Sequence, residues 1–319
     1  MKKIIFCLLI LFIFFTSNSY ALSKKCVYVN SYHIGYIWSD TIAREINNIL
    51  KETCEVIEID LNSKIKKDII SIKKRSLEAK KLIDKINPDI IITSDDNAAK
   101  YLIKPYFSNS EIPIVFSGIN WNAKDYNFSD EYVTGILEIL PISNLFKIAS
   151  SLTTGNKALF LGDDTITDKK DLNKFIEYSK NHNINLHSKL VDNVNDWKSK
   201  YLKAQEEYDF IILGHNSSIK GWNDNEIKRF VLKNSNKLVL STYSWMMPFS
   251  MIGLIIKAEE QGIWAGTTAK AILNGFKIKK IPITSNKTWN NYINIKLLNS
   301  AKIKIPRDLL TRSKRIEEN

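Results

Sequence analysis

CVYVNSYHIGYIWSDTIAREINNIL, residues 26–50, is the stretch from which the fold can be read. Val27-Tyr28-Val29 is a short apolar, β-branched run and predicts a buried strand. Asn30 to Trp38 reads as a polar, aromatic loop. Ser39 or Asp40 then caps a helix whose apolar positions Ile42, Ile46, Ile49 and Leu50 fall on one face. In open parallel sheets, ligands bind in the crevice outside the carboxyl ends of the strands. A loop at such an end with Ser31, Tyr32, His33, Tyr36 and Trp38 is rich in groups that stack and hydrogen-bond. A mere connection gains nothing from exposing large aromatics, so the loop predicts one wall of a binding cleft.

Outward from this stretch the same alternation continues. Glu55 to Asp60 predicts a second strand, and Ile69 to Ile86 a helix with Ala79, Leu82, Ile83 and Ile86 on one face, stopped by Asn87-Pro88. Asp89 to Thr93 is a continuous apolar run of the kind found in strands covered on both faces. It ends in Ser94-Asp95-Asp96-Asn97, followed by a helix through Ala98 to Ile103. Ile112 to Phe116 ends in Ser117-Gly118-Ile119-Asn120-Trp121, and Val133 to Leu137 predicts a fifth strand. The rhythm then restarts. Ala158 to Leu161 ends in Gly162-Asp163-Asp164-Thr165; Phe210 to Leu213 ends in Gly214-His215-Asn216-Ser217; Leu238 to Leu240 ends in Ser241-Thr242-Tyr243-Ser244-Trp245. Alternating units of this kind build parallel sheets with right-handed crossovers. The expectation is an α/β protein of two lobes, each a parallel sheet flanked by helices.

The chain has 319 residues and a net charge of +12. Lys2-Lys3, the apolar run Ile4 to Phe15 and Ser19-Tyr20-Ala21 follow the grammar of a secretory signal peptide cleaved after Ala21, with an uncleaved anchor as the alternative. Export excludes most nucleic-acid partners. The lysines, spread as Lys66-Lys67, Lys73-Lys74 and Lys80-Lys81 without interleaved aromatics, read as solvated helix faces. No GxSxG, GxxxxGK[ST] or GxGxxG pattern points to a nucleophile or nucleotide site. His33 and His215 sit at strand ends, but no HxH, HxxxH or CxxC spacing supports a metal, and no cofactor is expected. Trp197 and Trp264 fall in helical patterns and read as packing. Of Asp95 and Asp96, one serves helix capping and the other a ligand's ammonium or hydroxyl. The arginines lie in helices or the tail, so a ligand carboxylate would fall to helix-start N–H groups and the hydroxyls of Ser94, Ser117 or Thr242.

Several of these motifs, in this order, resemble extracytoplasmic substrate-binding proteins of ABC transporters, in the group that includes tryptophan and tyrosine binders. Asn30 to Asp40 (NSYHIGYIWSD), Ser94 to Tyr106 (SDDNAAKYLIKPY), Ile112 to Trp121 (IPIVFSGINW), Val133 to Glu138 (VTGILE), Glu259 to Gly262, Ala271 to Gly275 and Asn294 to Arg312 carry the likeness over nearly the whole mature chain. The resemblance implies a type I periplasmic-binding-protein fold. Its boundaries would be a leader at 1–21, an N-terminal lobe at 22–135 with about 252–280, and a C-terminal lobe at 136–251 with about 281–319. Val133 to Leu137, Met251 to Ile255 and Ile281 to Thr284 would cross between lobes at a hinge that closes on the ligand.

The ligand-binding residues it implies are Ser31, Tyr32, His33, Tyr36, Trp38, Ser94, Asp95, Asp96, Asn97, Ser117, Gly118, Asn120 and Trp121 from the first lobe. Asp163, Asp164, Thr165, His215, Asn216, Thr242, Tyr243 and Trp245 come from the second. The function implied is capture of a small ligand, an amino acid or similar compound with an aromatic or apolar body, and delivery to a permease. A receptor for a membrane sensor kinase is the alternative, and a secreted enzyme a third reading. The protein is expected to be periplasmic and monomeric. Cys26 and Cys54 begin strands that are neighbours in this fold, which allows a disulfide between them; two buried free thiols are the alternative.

Overall fold

The computed structural model describes residues 24–316; the leader expected at 1–21 lies outside them. The first elements are β1 (Lys24–Asn30), α1 (Ile37–Leu50), β2 (Cys54–Asp60), α2 (Ile69–Ile86) and β3 (Ile90–Ser94). A helical stretch α3 follows (Asp95–Ala98, a π turn over Ala99–Ile103, then Lys104–Tyr106), and after it β4 (Ile114–Asn120) and β5 (Val133–Glu138). Next come α4 (Ile142–Leu152), β6 (Lys157–Asp163), α5 (Ile166–Asn181), β7 (Asn185–Val191), α6 (Val194–Glu207) and β8 (Phe210–Leu213). After these run α7 (Asp224–Asn234), β9 (Leu238–Ser241), β10 (Ile252–Ile256) and α8 (Ala258–Leu273). The last are β11 (Thr284–Ser285), β12 (Trp289–Ile293), α9 (Ile295–Ser300), α10 (Arg307–Arg312) and β13 (Lys314–Arg315). The chain divides into two compact units: one runs through Glu138 and adds Ala258–Thr284, the other is Ile139–Lys257 with the chain from Ser285 onward.

The first unit is built on a six-stranded sheet in the order β11-β5-β4-β3-β1-β2. Period-two alternation sends successive residues of the apolar runs to opposite faces. Val27, Val29 and Ile91 pack with Ala79, Ile83, Ala98 and Leu102 from α2 and α3. Cys26, Tyr28, Ile90 and Ile92 pack with Ile42, Ile46 and Leu50 of α1 and Ala265 and Ala269 of α8. Every residue of β3 is buried, which is why that run lacks polar alternation. On α8, a Cβ at Gly262 would lie 2.7 Å from the Ile42 carbonyl oxygen and one at Gly266 3.2 Å from Ile49 Cβ. At Gly262 the obstacle is backbone, so glycine there lets α8 lie backbone-close on α1.

Cys26 and Cys54 are joined by a disulfide, with Cα atoms 5.9 Å apart. The register sets Lys24 opposite Cys54, so Cys26 is the diagonal neighbour on the same face, within bridging reach.

The second unit carries a seven-stranded sheet in the order β13-β12-β10-β9-β8-β6-β7. Its β6, β7, β8, β9 and β10 are parallel, but β12 runs antiparallel to β10. The tail therefore adds an edge that the parallel rhythm of the sequence did not announce. Among the described residues no helix is long and apolar enough to cross a membrane.

Several local expectations need correction. Helix α1 begins at Ile37, with Tyr36 at its N-cap, rather than after Ser39 or Asp40. Both Asp40 carboxylate oxygens instead accept the Gly35 N–H at 3.0 Å, so the acid closes the preceding turn from inside the helix. Trp38 thus belongs to a helix, not a loop. Ser117, Gly118 and Asn120 lie within β4, which continues past Phe116 with a register shift against β5 between Ser117 and Ile119. Leu82 is exposed, while Ala79 and Ile83 carry the buried face of α2. The strand expected at Ile281 to Thr284 shrinks to β11, Thr284–Ser285, which follows a 3-10 turn over Ile278–Lys280.

Candidate functional site

In the first unit the carboxyl ends of β1, β3 and β4 converge on Asp95. Ser31, at the end of β1, donates its hydroxyl to the Ser94 carbonyl at 2.5 Å and accepts the Ala98 N–H at 2.8 Å, so one buried hydroxyl caps α3 from a neighbouring strand. Asp95 opens α3 with φ of +66°, a left-handed conformation that costs a non-glycine residue energy and is held by its surroundings. Its side chain is 2% exposed. Oδ1 accepts the Trp38 indole N–H at 3.1 Å, while Oδ2 is buried with no hydrogen-bond partner. Gly118, with φ of +66°, leaves the space beside it: a Cβ there would sit 3.0 Å from Asp95 Oδ1. The Gly118 N–H is fixed by Gln261 Oε1 of α8 at 2.8 Å.

Burial pushes the Asp95 carboxyl up to about 7; the Trp38 bond, the Lys64 charge and the Ser94 hydroxyl, itself engaged with Tyr28, oppose this, and Asp96 adds to it. Asp96 is differently placed. Oδ1 accepts the Tyr126 hydroxyl at 2.5 Å, and Oδ2 accepts Asn120 Nδ2 at 2.7 Å and the Asn120 N–H at 3.3 Å. The structural carboxylate of the pair is therefore Asp96, and the one with an oxygen to spare is Asp95.

The loop after β1 surrounds this point with rings. Tyr32 and Tyr36 meet edge-on at 5.1 Å, His33 lies 5.9 Å from Tyr36, and the His33 Nδ1 atom is buried without a partner. Asn97 binds Ser63 through Nδ2 at 2.8 Å, which ties α3 to the turn after β2. Ser94 shares a hydrogen bond with the Tyr28 hydroxyl, and Ser117 points its hydroxyl at the Thr93 carbonyl. Trp121 follows β4 with φ of +66° and its N–H on the Glu138 carbonyl.

In the second unit the ends of β6, β8 and β9 meet around Asp168. This residue of α5 is fully buried and accepts the Asp163 N–H at 2.8 Å and the His215 N–H at 2.9 Å on Oδ2. Space for it comes from two glycines: a Cβ on Gly162 would lie 2.1 Å, and one on Gly214 2.6 Å, from that oxygen. Burial pushes the Asp168 carboxyl up to about 8 against its backbone bonds, with Asp163 and Asp171 adding to the rise. Asp163 is itself buried; that alone would raise its carboxyl, but bonds from Thr165 and Ser218 and the nearby His215 bring it below its ordinary value.

His215, Tyr243 and Trp245 form an aromatic cluster, with rings 4.1 Å apart for His215–Tyr243 and 5.1 Å for the stacked Tyr243–Trp245. The Tyr243 hydroxyl donates to Asp171 at 2.6 Å. Thr242 Oγ1 is buried without a partner, and Trp245 is 46% exposed. Asp164 faces away and pairs with Lys169 at 2.5 Å. Asn216 accepts the Ile219 N–H on its backbone carbonyl. Asp168, Asp171 and His215 bring ligand atoms within 4.8 Å of one another. Both acids already accept hydrogen bonds there, so the set reads as a network rather than a metal centre.

Lys64, Asp168 and Asp171 escaped the sequence reading, and Gln261 stood in the quoted Glu259 to Gly262 stretch without a role. Thr165-x-x-Asp168 has the form of a helix-start motif, and Thr165 does accept the Asp168 N–H, but nothing in that pattern reveals where the acid's own oxygens point. Gln261 is distant from the site in sequence and reaches it only through the packing of α8.

Comparison with known proteins bears on this arrangement. A structure of an ABC domain in complex with L-Trp from Streptococcus pneumonia superposes with a TM-score of 0.62 at 17% identity, covering 92% of this chain and 99% of that one. The ligand-free, open structure of CD0873, a substrate binding protein with adhesive properties from Clostridium difficile, gives 0.74 at 12% identity over 93% and 100%. The leucine binding protein LivK of Thermotoga maritima gives 0.56 at 11% identity over 79% and 83%. At these identities the likeness shows the fold: a type I periplasmic binding protein. An uncharacterized protein of Rickettsia prowazekii (strain Madrid E) is 30% identical over 120 residues, so the match spans 37% of this chain and about two-fifths of that relative. The model of the ABC transporter substrate binding protein family matches residues 44–316, from within α1 to the end of the described chain, and the protein belongs to that family.

Proposed function

We propose that this chain is the periplasmic receptor of an ABC transporter, a monomer that captures a small amino-acid-like solute and delivers it to a permease without chemical turnover. The observation that carries this is the division of labour between adjacent acids. Asp96 has both oxygens committed to protein donors, whereas Asp95 keeps one buried oxygen unpartnered. A buried acceptor left without a donor costs free energy unless something else supplies one, and a ligand ammonium or hydroxyl is that donor. The Tyr32 and Tyr36 rings beside it offer apolar faces to the body of such a solute.

The test is calorimetric titration of the mature protein with the compound that mass spectrometry identifies as co-purifying with it. Asp95→Asn is expected to weaken binding at least about 30-fold, since truncating a charged partner costs roughly 2–5 kcal/mol. Asp96→Asn is expected to leave affinity within about threefold and to lower the melting temperature instead. The reading fails if the two variants exchange these behaviours, or if the recovered compound emerges chemically altered.

A further inference from the structure

Two charges of opposite sign stand in the first unit without meeting. Lys64, in the turn after β2, holds its ammonium 4.8 Å from the Tyr32 ring centroid and 5.3 Å from that of Tyr36. Asp95 lies near the same two rings, where burial and then its charge push both phenols up, and bonds to Trp38 in the first turn of the helix that follows. Among the described residues neither Lys64 nor Asp95 takes part in an ion pair within 4.0 Å. Each still feels the other: the Lys64 charge lowers the Asp95 carboxyl and the Asp95 charge raises the Lys64 ammonium.

Both are nevertheless displaced in the direction of charges whose desolvation is not offset. Burial pushes Asp95 up to about 7. Burial likewise holds Lys64 below its ordinary value, although the residue as a whole is exposed, because its ammonium end is drawn in against the two rings. An anion alone would satisfy Lys64 and repel Asp95; a cation alone would do the reverse. Of the other polar groups around this point, Ser31 is engaged with Ala98 and Ser94, the Ser94 hydroxyl with Tyr28, and Asp96 with Tyr126 and Asn120, while His33 keeps a buried Nδ1 without a partner and the Glu138 charge also raises the Lys64 ammonium. The two charged groups that stand here outside any ion pair are an acid with a spare oxygen and a base against two rings.

We infer that the first unit recognises its solute as an α-amino-acid zwitterion, the ammonium on Asp95 Oδ2 and the carboxylate on Lys64 Nζ. Lys64 is thereby the carboxylate anchor of this unit, where the Ser94 and Ser117 hydroxyls are engaged with Tyr28 and the Thr93 carbonyl. The two tyrosine rings hold the lysine by cation–π attraction and so fix the spacing between anchors. This assignment rests on the proposed role in solute capture and names the solute's class.

The experiment compares three forms of one carbon skeleton: L-tyrosine, its amine tyramine and its deaminated acid phloretate, with L-leucine, isoamylamine and isocaproate as an aliphatic series. Affinities are measured by titration calorimetry at a pH above 7.5, with the parent, Asp95→Asn and Lys64→Met, each checked for a cooperative melt. The parent should bind at least one of the two amino acids about 30-fold or more tightly than its amine and its acid. Lys64→Met should bring amino acid and amine to within about threefold while retaining the preference over the acid. Asp95→Asn should do the converse.

A Lys64→Met variant whose preference for amino acid over amine is unchanged overturns the assignment. So does a parent that binds tyramine or isoamylamine as well as the amino acid. If ribose or another neutral solute binds and neither amino acid does, the zwitterion reading falls and solute capture stands. If no solute of any kind shifts the melt, both fall.

Discussion

The Trp38 indole N–H donates to Asp95 Oδ1 at 3.1 Å, bridging 57 positions of sequence and tying the first turn of α1 to the residue that opens α3. The bond explains how a side chain on a helix, rather than in a loop, reaches the carboxyl end of β3. It also leaves Asp95 with one oxygen satisfied and one free.

Trp38→Phe should keep the ring's packing and remove the donor. With both Asp95 oxygens then lacking partners, a loss of about 1–3 kcal/mol in stability is expected by chemical denaturation. The Asp95 carboxyl should move further above its ordinary range, because the bond that opposes burial is gone. Carboxyl titration by NMR checks this; an unchanged or lowered midpoint counts against the bond.

Asp95 makes stability depend on pH with a definite sign. Its carboxyl rises from 3.8 to about 7 on folding, so between those values the folded chain keeps a proton that the unfolded chain has released. The stabilisation is complete below pH 3.8, declines as pH rises through about 7 and is absent above it; its ceiling is about 4 kcal/mol at 1.36 kcal/mol per unit. Asp96 enlarges the effect and Lys64 reduces it. Melting temperatures of the ligand-free protein from pH 5 to 8 should therefore fall less steeply in Asp95→Asn than in the parent. Equal slopes would remove Asp95 as the source.

Gly162 and Asp168 should behave as one unit. A methyl at position 162 collides with the acid at 2.1 Å, and Asp168→Ala strands the N–H groups of Asp163 and His215. Each single change is expected to cost about 2–4 kcal/mol. The Gly162→Ala/Asp168→Ala pair should cost less than the sum, because the second change removes the obstacle to the first. Additive losses would show that the carboxylate does not fill the space over the glycine.

The Cys26–Cys54 disulfide closes a loop over a separation of 28 residues. On the chain-entropy account it stabilises the protein by about 3–4 kcal/mol. A Cys26→Ala/Cys54→Ala double variant should lose about that much in equilibrium denaturation. Both sulfurs sit in the layer between sheet and α1, so a reductant should act on the native protein slowly. Rapid reduction of native protein would contradict that placement.

What could be read from the sequence follows the range of the forces involved. The strand of Ile90–Ser94 and the helix Ile69–Ile86 are specified by local periodicity and a stop at Asn87-Pro88, and their bounds match the structure within a residue. The strand-end residues were visible as polar groups after apolar runs. Which of Asp95 and Asp96 has an oxygen to spare was not, because Tyr126 and Asn120 reach Asp96 only through the fold. Asp40 misled by sitting where a capping acid belongs while bonding backward to Gly35. Strand β12 was missed because WNNYI lacks the apolar density of a central strand; it is half-buried beside β10. Gln261 and Asp168 act over distances that no local pattern encodes.

Helix α8 has a consequence for the order in which the molecule is made. It belongs to the first unit, yet the chain reaches it only after all of Ile139–Lys257 has been built. Until then the groove along Ile42, Glu45, Ile46 and Ile49 has no glycine face to receive, and Gly118 has no Gln261 to hold it. A chain emerging from its amino end must therefore leave its earliest α/β layer unfinished while a later one folds. Contacts of such large sequence separation close slowly. The surroundings of Asp95 are thus among the last parts to set, and a nascent or truncated chain ending before residue 258 would carry the same acids and rings without the Gln261 bond that fixes the backbone beside them.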